Sequence, residues 1–300
     1  MSKRRYSLPV PPPLPVGRLH ALADRGEVFV RSTGVRAGAL PVVLLHGWMA
    51  AADTNFYPVF DRLAARHQVI APDLRGHGRT LYPEVPFTLE DAADDVAALL
   101  RDLGTGPCVI VGYSLGTTVT QLLVARHPDV VAGIVLAGGE FAPKTRLHEK
   151  VYDRLGGWHA TALGLTTGRW SAHRLVDKAV KEHQPTEDIR GWLVCEFERG
   201  HLGSQRAAGR ALARFDGRPI AAANSGLPAA VVITRRDHLV RPARQEKLAG
   251  AWAAEVFDLD ADHDAPIAQP VRFTDAICDA VAHVASRASV VSQTPTKAAS

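Results

Sequence analysis

"VGYSLGTT", residues Val111 to Thr118, decides how this chain is read. It places Ser114 between Gly112 and Gly116, directly after the apolar run "CVIVGY" and directly before the helical pattern "LGTTVTQLLVARH". A strand that turns this sharply into a helix forces the residue at the turn into a strained backbone conformation. Small residues two before and two after are required because the chain passes close to itself. The Ser114 hydroxyl is therefore expected above the carboxyl end of a sheet, at a helix N-terminus whose partial positive charge favours a developing anion. The competing reading is an ordinary turn serine.

A serine alone is a poor nucleophile. It needs a base, and the base needs a group to orient it. The chain order expected for this arrangement is Ser, then acid, then His. "VVITRRDHLV" puts Asp237 just past one strand, and "DLDADHDAP" puts His263 just past the next. Both would share the sheet edge with Ser114, where ligands bind in open parallel sheets. Asp237 could instead be a surface turn residue, and His263 a solvated histidine among Asp260, Asp262 and Asp264. Glu140, after "LAGG", is a second acid candidate, and His238 lies beside the first.

An oxyanion needs two backbone N–H groups aimed at it. The residue after the nucleophile, Leu115, supplies one. The loop "LLHGWMA" after an earlier strand is expected to supply the other: Gly47 permits close approach and Trp48 offers its N–H. His46 is read as a structural tie for that loop.

The rest of the chain alternates strands and helices. "EVFVR", "VVLLH", "QVIAPD", "CVIVGY", "VAGIVLAGG", "AAVVITRRD" and "AEVFDLD" read as strands. Several are continuously apolar, as strands buried on both faces of a parallel sheet are. Helical patterns fall near 56–66, 88–103, 115–127, 242–252 and 270–286. Thr88 with Glu90 and Asp91 forms a capping start. The alternation predicts a three-layer α/β domain with right-handed crossovers. Its core is expected at 17–140 and 226–288. Residues 141–225 show helical spacing without a strand, too long for a plain connection, and read as an inserted helical cap; a long crossover packed elsewhere is the alternative. Residues 1–16 read as a Pro-rich flexible arm and 289–300 as a frayed, disordered tail.

Bulk properties exclude several classes. The 300 residues are 46% hydrophobic and 22% charged, ordinary globular usage, with net charge +4. No basic stripe with interleaved aromatics is present, which argues against nucleic-acid binding. No run reaches the ~18 apolar residues of a membrane span. The N-terminus looks superficially like an export signal, but five prolines between Pro9 and Pro15 prevent a helical core. Cys108, Cys195 and Cys278 lie far apart in no metal or redox spacing, so a reducing, cytoplasmic setting is expected. Oligomeric state has no signature in the sequence.

"LLHGWMA", "PDLRGHGRT", "GYSLG", "DHLVRP" and "DHDAPIAQP" together resemble the cap-bearing serine hydrolase branch of the α/β-hydrolase fold superfamily, from about residue 26 to 286. The resemblance implies a mostly parallel central sheet of about eight strands with an inserted helical cap. It implies that Ser114, Asp237 and His263 match the triad and that Trp48 and Leu115 supply the oxyanion hole, with His46, Gly47, Gly112 and Gly116 supporting the loops. It also implies that Asp73 to Gly78 form a structural loop. Two departures stand out: Thr117 where a smaller residue is usual after the second elbow glycine, and Asp262 where a glycine often precedes the histidine.

The expected function is a serine esterase that hydrolyses a small to medium apolar carboxylic ester through an acyl-enzyme, with no cofactor and no metal. Its partner is a small-molecule substrate; nucleic acid and stable membrane insertion are not expected. Acyl transfer or cofactor-free carbon–carbon hydrolysis with the same triad are alternatives, as is a non-catalytic ligand-binding member; fold does not choose among them. Trp158, Trp170, Trp192 and Phe197 are read as packing before pocket, and Arg146, Arg154 and Arg169 as solvated before carboxylate-binding.

Overall fold

The structure, a computed structural model, describes residues 10–80, 87–141, 176–179 and 187–293. One eight-stranded sheet runs in the order β1-β2-β4-β3-β5-β6-β7-β8. The strands are β1 (Gly17–Leu22), β2 (Gly26–Ser32), β3 (Val42–Leu45), β4 (Val69–Pro72), β5 (Cys108–Tyr113), β6 (Val131–Ala137), β7 (Ala229–Thr234) and β8 (Glu255–Leu259). β3 to β8 are parallel; β1 and β2 pair antiparallel, and β2 pairs antiparallel with β4.

Every residue of β3, β4, β5 and β7 is buried. Successive side chains point to opposite faces, so such strands need cover on both sides. Val43, Leu45, Ile110 and Ile233 face α3 (Leu89–Asp102), α4 (Leu115–Arg126) and α8 (Pro242–Ala251), where Trp252 fills the layer. Val42, Leu44, Val111 and Val232 face α1 (Ala52–Phe56), α2 (Phe60–Ala64) and α10 (Pro270–Gln293). Thr88 caps α3, its hydroxyl accepting the Asp91 N–H at 3.0 Å.

Three expectations need correction. Of the helix expected over 56–66 only α2 (Phe60–Ala64) forms; α1 ends at Phe56, and the chain breaks at 57–59 where Pro58 has no N–H. The Pro-rich arm is not free at its end: Leu14 packs on the core, the Pro15 carbonyl accepts from Arg31 at 2.6 Å, and β1 follows at once. The C-terminal helix continues to Gln293, past the expected start of the tail at 289, since Val284 and Ala288 keep its buried stripe going. Asp264 is followed by a short helix, α9 (Ala265–Ala268), which was not foreseen.

Between β6 and β7 the described residues hold only helix: a turn at 176–179, α5 (Glu187–Phe197), α6 (Leu202–Leu212) and α7 (Arg218–Ala223). Trp158, Trp170, Arg146, Arg154 and Arg169 lie outside the described residues. Trp192 is buried and packs edge-on against Tyr57 at 5.6 Å, while Phe197 packs at the margin of the same cluster. Glu196 of α5 accepts from Arg79 at 2.6 Å, and Arg79 and Arg31 both reach the buried carboxylate of Asp53. Among the described residues no helix is long and apolar enough to cross a membrane.

Candidate active site

Ser114 sits at the join of β5 and α4 with φ 52° and ψ −114°. This is a left-handed φ in a residue that carries a side chain, and it costs on the order of 1–3 kcal/mol. Several contacts offset that cost. The Ser114 N–H donates to the Ala137 carbonyl at 2.9 Å, and its own carbonyl accepts from the Thr117 N–H at 2.9 Å and the Thr117 hydroxyl at 2.7 Å. The glycines are needed for approach rather than for φ. A Cβ on Gly112 would stand 2.4 Å from the Gly116 carbonyl oxygen, and one on Gly116 would stand 2.0 Å from that of Leu45.

The loops after β7 and β8 bring two further side chains to this edge. His263 Nε2 lies 3.0 Å from Ser114 Oγ, and His263 Nδ1 lies 2.7 Å from Asp237 Oδ2. Asp237 is no surface turn residue: its side chain is 0% exposed. Its Oδ1 accepts the N–H groups of Leu239 and Val240 at 2.8 and 2.7 Å, and its Oδ2 also accepts the Thr234 hydroxyl at 2.7 Å. A carboxylate so placed is acceptor only, which puts the imidazole proton on Nδ1 and leaves Nε2 to accept from the serine. Tyr113, buried beneath the ring, donates its hydroxyl to the His263 carbonyl at 2.6 Å and fixes that loop.

The other acid and histidine candidates are engaged elsewhere. Glu140 pairs with Arg244 of α8. His238 is turned out to solvent and faces Asp262.

The loop after β3 lies across from Ser114. Gly47 sits against the serine and donates its N–H to Asn55 at 2.7 Å. Met49 has φ 59°, so this loop too holds strain. His46 is buried and neutral. It accepts the Leu74 N–H on Nε2 at 2.9 Å and donates from Nδ1 to the Gly47 carbonyl at 2.8 Å. Burial, helped by nearby His77, pushes its pKa down to about 3. Asp73 ties the following loop, accepting the Ala52 and Arg79 N–H groups at 2.8 Å each. Leu115 opens α4 directly after Ser114, and Trp48 follows Gly47 in the loop across from it. The Trp48 indole donates to the Gln205 carbonyl of α6 at 2.6 Å, with Gly209 against its ring.

Asn55 and Gln205 support the site from positions that only the folded chain brings near it; Tyr113 and Thr234 lie beside Ser114 and Asp237 in the sequence, but their contacts to the His263 carbonyl and the Asp237 carboxylate had no local signal. The described residues hold no cluster of three or more His, Cys, Asp or Glu fit for a metal ion.

A family model described as "alpha/beta hydrolase fold" matches residues 41–270. Among curated relatives, the 2-(acetamidomethylene)succinate hydrolase of Mesorhizobium japonicum is 34% identical over 117 residues, 39% of this chain and 42% of that protein. The pimeloyl-[acyl-carrier protein] methyl ester esterase of Neisseria meningitidis is 40% identical over 127 residues, 42% and 45% of the two chains. These matches span less than half the length of the relatives. Among solved structures, the enol-lactonase of Burkholderia xenovorans LB400 superposes with TM-score 0.66 at 26% identity, covering 88% of this chain and 100% of that one. A thermophilic esterase from Thermogutta terrifontis has TM-score 0.71 at 24% identity, over 90% and 99%, which bears on the fold alone.

Proposed function

The chain belongs to the α/β-hydrolase fold family, and we propose that within it this protein is a serine-dependent carboxylic ester hydrolase. The observation that carries the reading is the unbroken hydrogen-bonded chain from Ser114 Oγ through the His263 ring to buried Asp237. In the proposed reaction His263 Nε2 takes the serine proton as Oγ attacks the ester carbonyl. The negative charge that develops on the carbonyl oxygen is met by the N–H groups of Trp48 and Leu115, and the α4 N-terminus adds its dipole. As the tetrahedral species collapses, the same Nε2–H protonates the departing alkoxide. Water then gives a proton to Nε2 as it attacks the acyl-serine carbonyl; as that second tetrahedral species collapses, Nε2–H returns the proton to the departing Ser114 Oγ and the acid is released. Asp237 keeps the proton on Nδ1 and stabilises the imidazolium throughout.

The segment between β6 and β7 is proposed as the cap over this site, since α6, one of its described helices, touches Trp48 through Gln205 and Gly209. The substrate is proposed to be a small molecule with a small to medium apolar acyl group. Esterase relatives support the ester reading, while a relative named for a substituted succinate shows that neighbouring chemistry exists in the family.

The test is turnover of aryl esters of graded acyl length, with and without an added alcohol. The proposal expects acid as the main product and no turnover by Ser114→Ala. Product that is mainly the new ester would replace hydrolysis with acyl transfer.

A further inference from the structure

The two loops that bring the acid and the histidine together carry the same dipeptide. Asp237-His238 follows β7 and Asp262-His263 follows β8. The structure pairs them crosswise. Asp237 meets His263 in the inner pair described above. In the outer pair Asp262 Oδ1 accepts the His238 N–H at 3.1 Å, and Asp262 Oδ2 lies 3.1 Å from His238 Nδ1. In the inner pair Asp237 is fully buried and His263 is 18% exposed; in the outer pair Asp262 is 16% exposed and only His238, at 86%, stands out in solvent.

Asp262 has two further partners. Its Oδ1 accepts the N–H of His263 itself at 2.7 Å. Its Oδ2 takes Lys178 Nζ at 3.1 Å, from the helical turn at 176–179. Asp264 stands 4.0 Å from the same ammonium. One carboxylate thus touches the histidine loop, the acid loop and the segment between β6 and β7. A glycine there makes none of these side-chain contacts.

We propose that Asp262 is a positioning residue for the ester hydrolysis described above, holding His263 at its working distance from Ser114 by bracing its loop to the acid loop and to Lys178. The proposal rests on that catalytic reading. Exposed ion pairs add little to stability, so the brace acts on geometry. A displacement of ~1 Å in a reacting group costs roughly 10²-fold in rate. Burial opposes ionisation of Asp262. Even so, the N–H groups of His263 and His238, with Lys178 and the His238 ring, hold its carboxyl well below the usual range. The carboxylate is therefore charged across the pH 5 to 9 range of the experiment below. The His263 ring itself faces Asp237, Ser114 and Tyr113; Asp262, Asp264, Lys178 and His238 are the charged or titratable groups outside it.

The experiment compares wild type, Asp262→Gly, Asp262→Asn and Lys178→Ala. It measures kcat and KM on an aryl acetate from pH 5 to 9, the rate of Ser114 labelling by a fluorophosphonate, and the urea midpoint. Asp262→Gly should lose about tenfold to 10²-fold in kcat and in labelling rate, with KM within about twofold. Asp262→Asn should recover most of that loss, because its amide oxygen still accepts the His263 N–H. Its kcat/KM profile should move its acidic limb to lower pH, since a negative charge beside the imidazole is gone; Lys178→Ala should move it to higher pH. If both Asp262 variants keep wild-type kcat, labelling rate and pH limbs, the brace is disproved, and Ser114-dependent turnover by the wild type leaves the ester reading standing. If the wild type labels at Ser114 but hydrolyses no ester, the ester reading fails, and the labelling rates alone decide for or against the brace.

Discussion

Ser114 holds a backbone conformation that side-chain-bearing residues seldom adopt, and its neighbours explain why it can. Thr117, the departure from the usual small residue, turns its hydroxyl onto the Ser114 carbonyl and so supports the turn. At this scale the proposal makes two kinetic predictions. Asp237→Asn should leave the loop in place, since an amide oxygen can still accept the Leu239 and Val240 N–H groups. It should lower kcat by roughly 10³- to 10⁴-fold, because the imidazole loses its tautomer lock. A fall of less than tenfold in steady-state turnover would remove Asp237 from its role. His263→Ala should cost orders of magnitude in kcat, with little change in the urea midpoint. That Ser114, Asp237 and His263 would meet at one sheet edge was legible because each stands within a few residues past a strand end, in the chain order this fold uses. The roles of Asn55 and Tyr113 were not, since each depends on a partner that the fold brings up, Gly47 for Asn55 and the His263 carbonyl, 150 residues away, for Tyr113.

At the scale of elements, the elbow is the tightest constraint. Gly116→Ala would drive a methyl to 2.0 Å from the Leu45 carbonyl, a backbone atom of β3 that has no room to retreat. The variant should be destabilised by about 1–3 kcal/mol, the usual cost of overpacking, and a urea titration would show it. An unchanged midpoint would mean that the β3–α4 contact is looser than described. Central strands were readable because burial on both faces leaves an unmixed apolar run. β1 was not: it is an edge strand, mostly open to solvent, whose "GRLHAL" carries little pattern. The break between α1 and α2 and the run of α10 to Gln293 turned on one proline and on a buried stripe fading slowly into the tail.

At the scale of the whole molecule, the buried titratable groups set how stability follows pH. Unfolded, His46 and His77 bind protons below about pH 6.5; folded, burial holds them neutral down to about 3 and about 4. Each makes the unfolded chain the better proton binder in that window, so stability falls as pH falls. Asp73 works in the opposite sense. Burial pushes its carboxyl from 3.8 up to about 7, so the folded state holds the extra proton and gains stability as pH falls through the same window. Two histidines against one carboxyl leave one net proton, and from these three groups stability should drop by about 1.4 kcal/mol per unit between pH 6.5 and 4. His77→Asn should flatten that slope, as urea midpoints at pH 4.5 and 6 would show; an equally steep slope would acquit the histidine.

The stretch without a strand pattern between β6 and β7 could be seen in the sequence, but not the ties that its described residues make, such as Glu196 to Arg79 and Trp192 against Tyr57. Those depend on pairs of residues more than a hundred positions apart.

The most direct measurement is the mass of the intact protein after treatment with a fluorophosphonate, for wild type and Ser114→Ala. The account predicts a single adduct on the wild type, mapped to Ser114 by peptide sequencing, and none on the variant. Equal labelling of the two proteins, or no labelling of the folded wild type, would contradict the claim that Ser114 is an activated nucleophile.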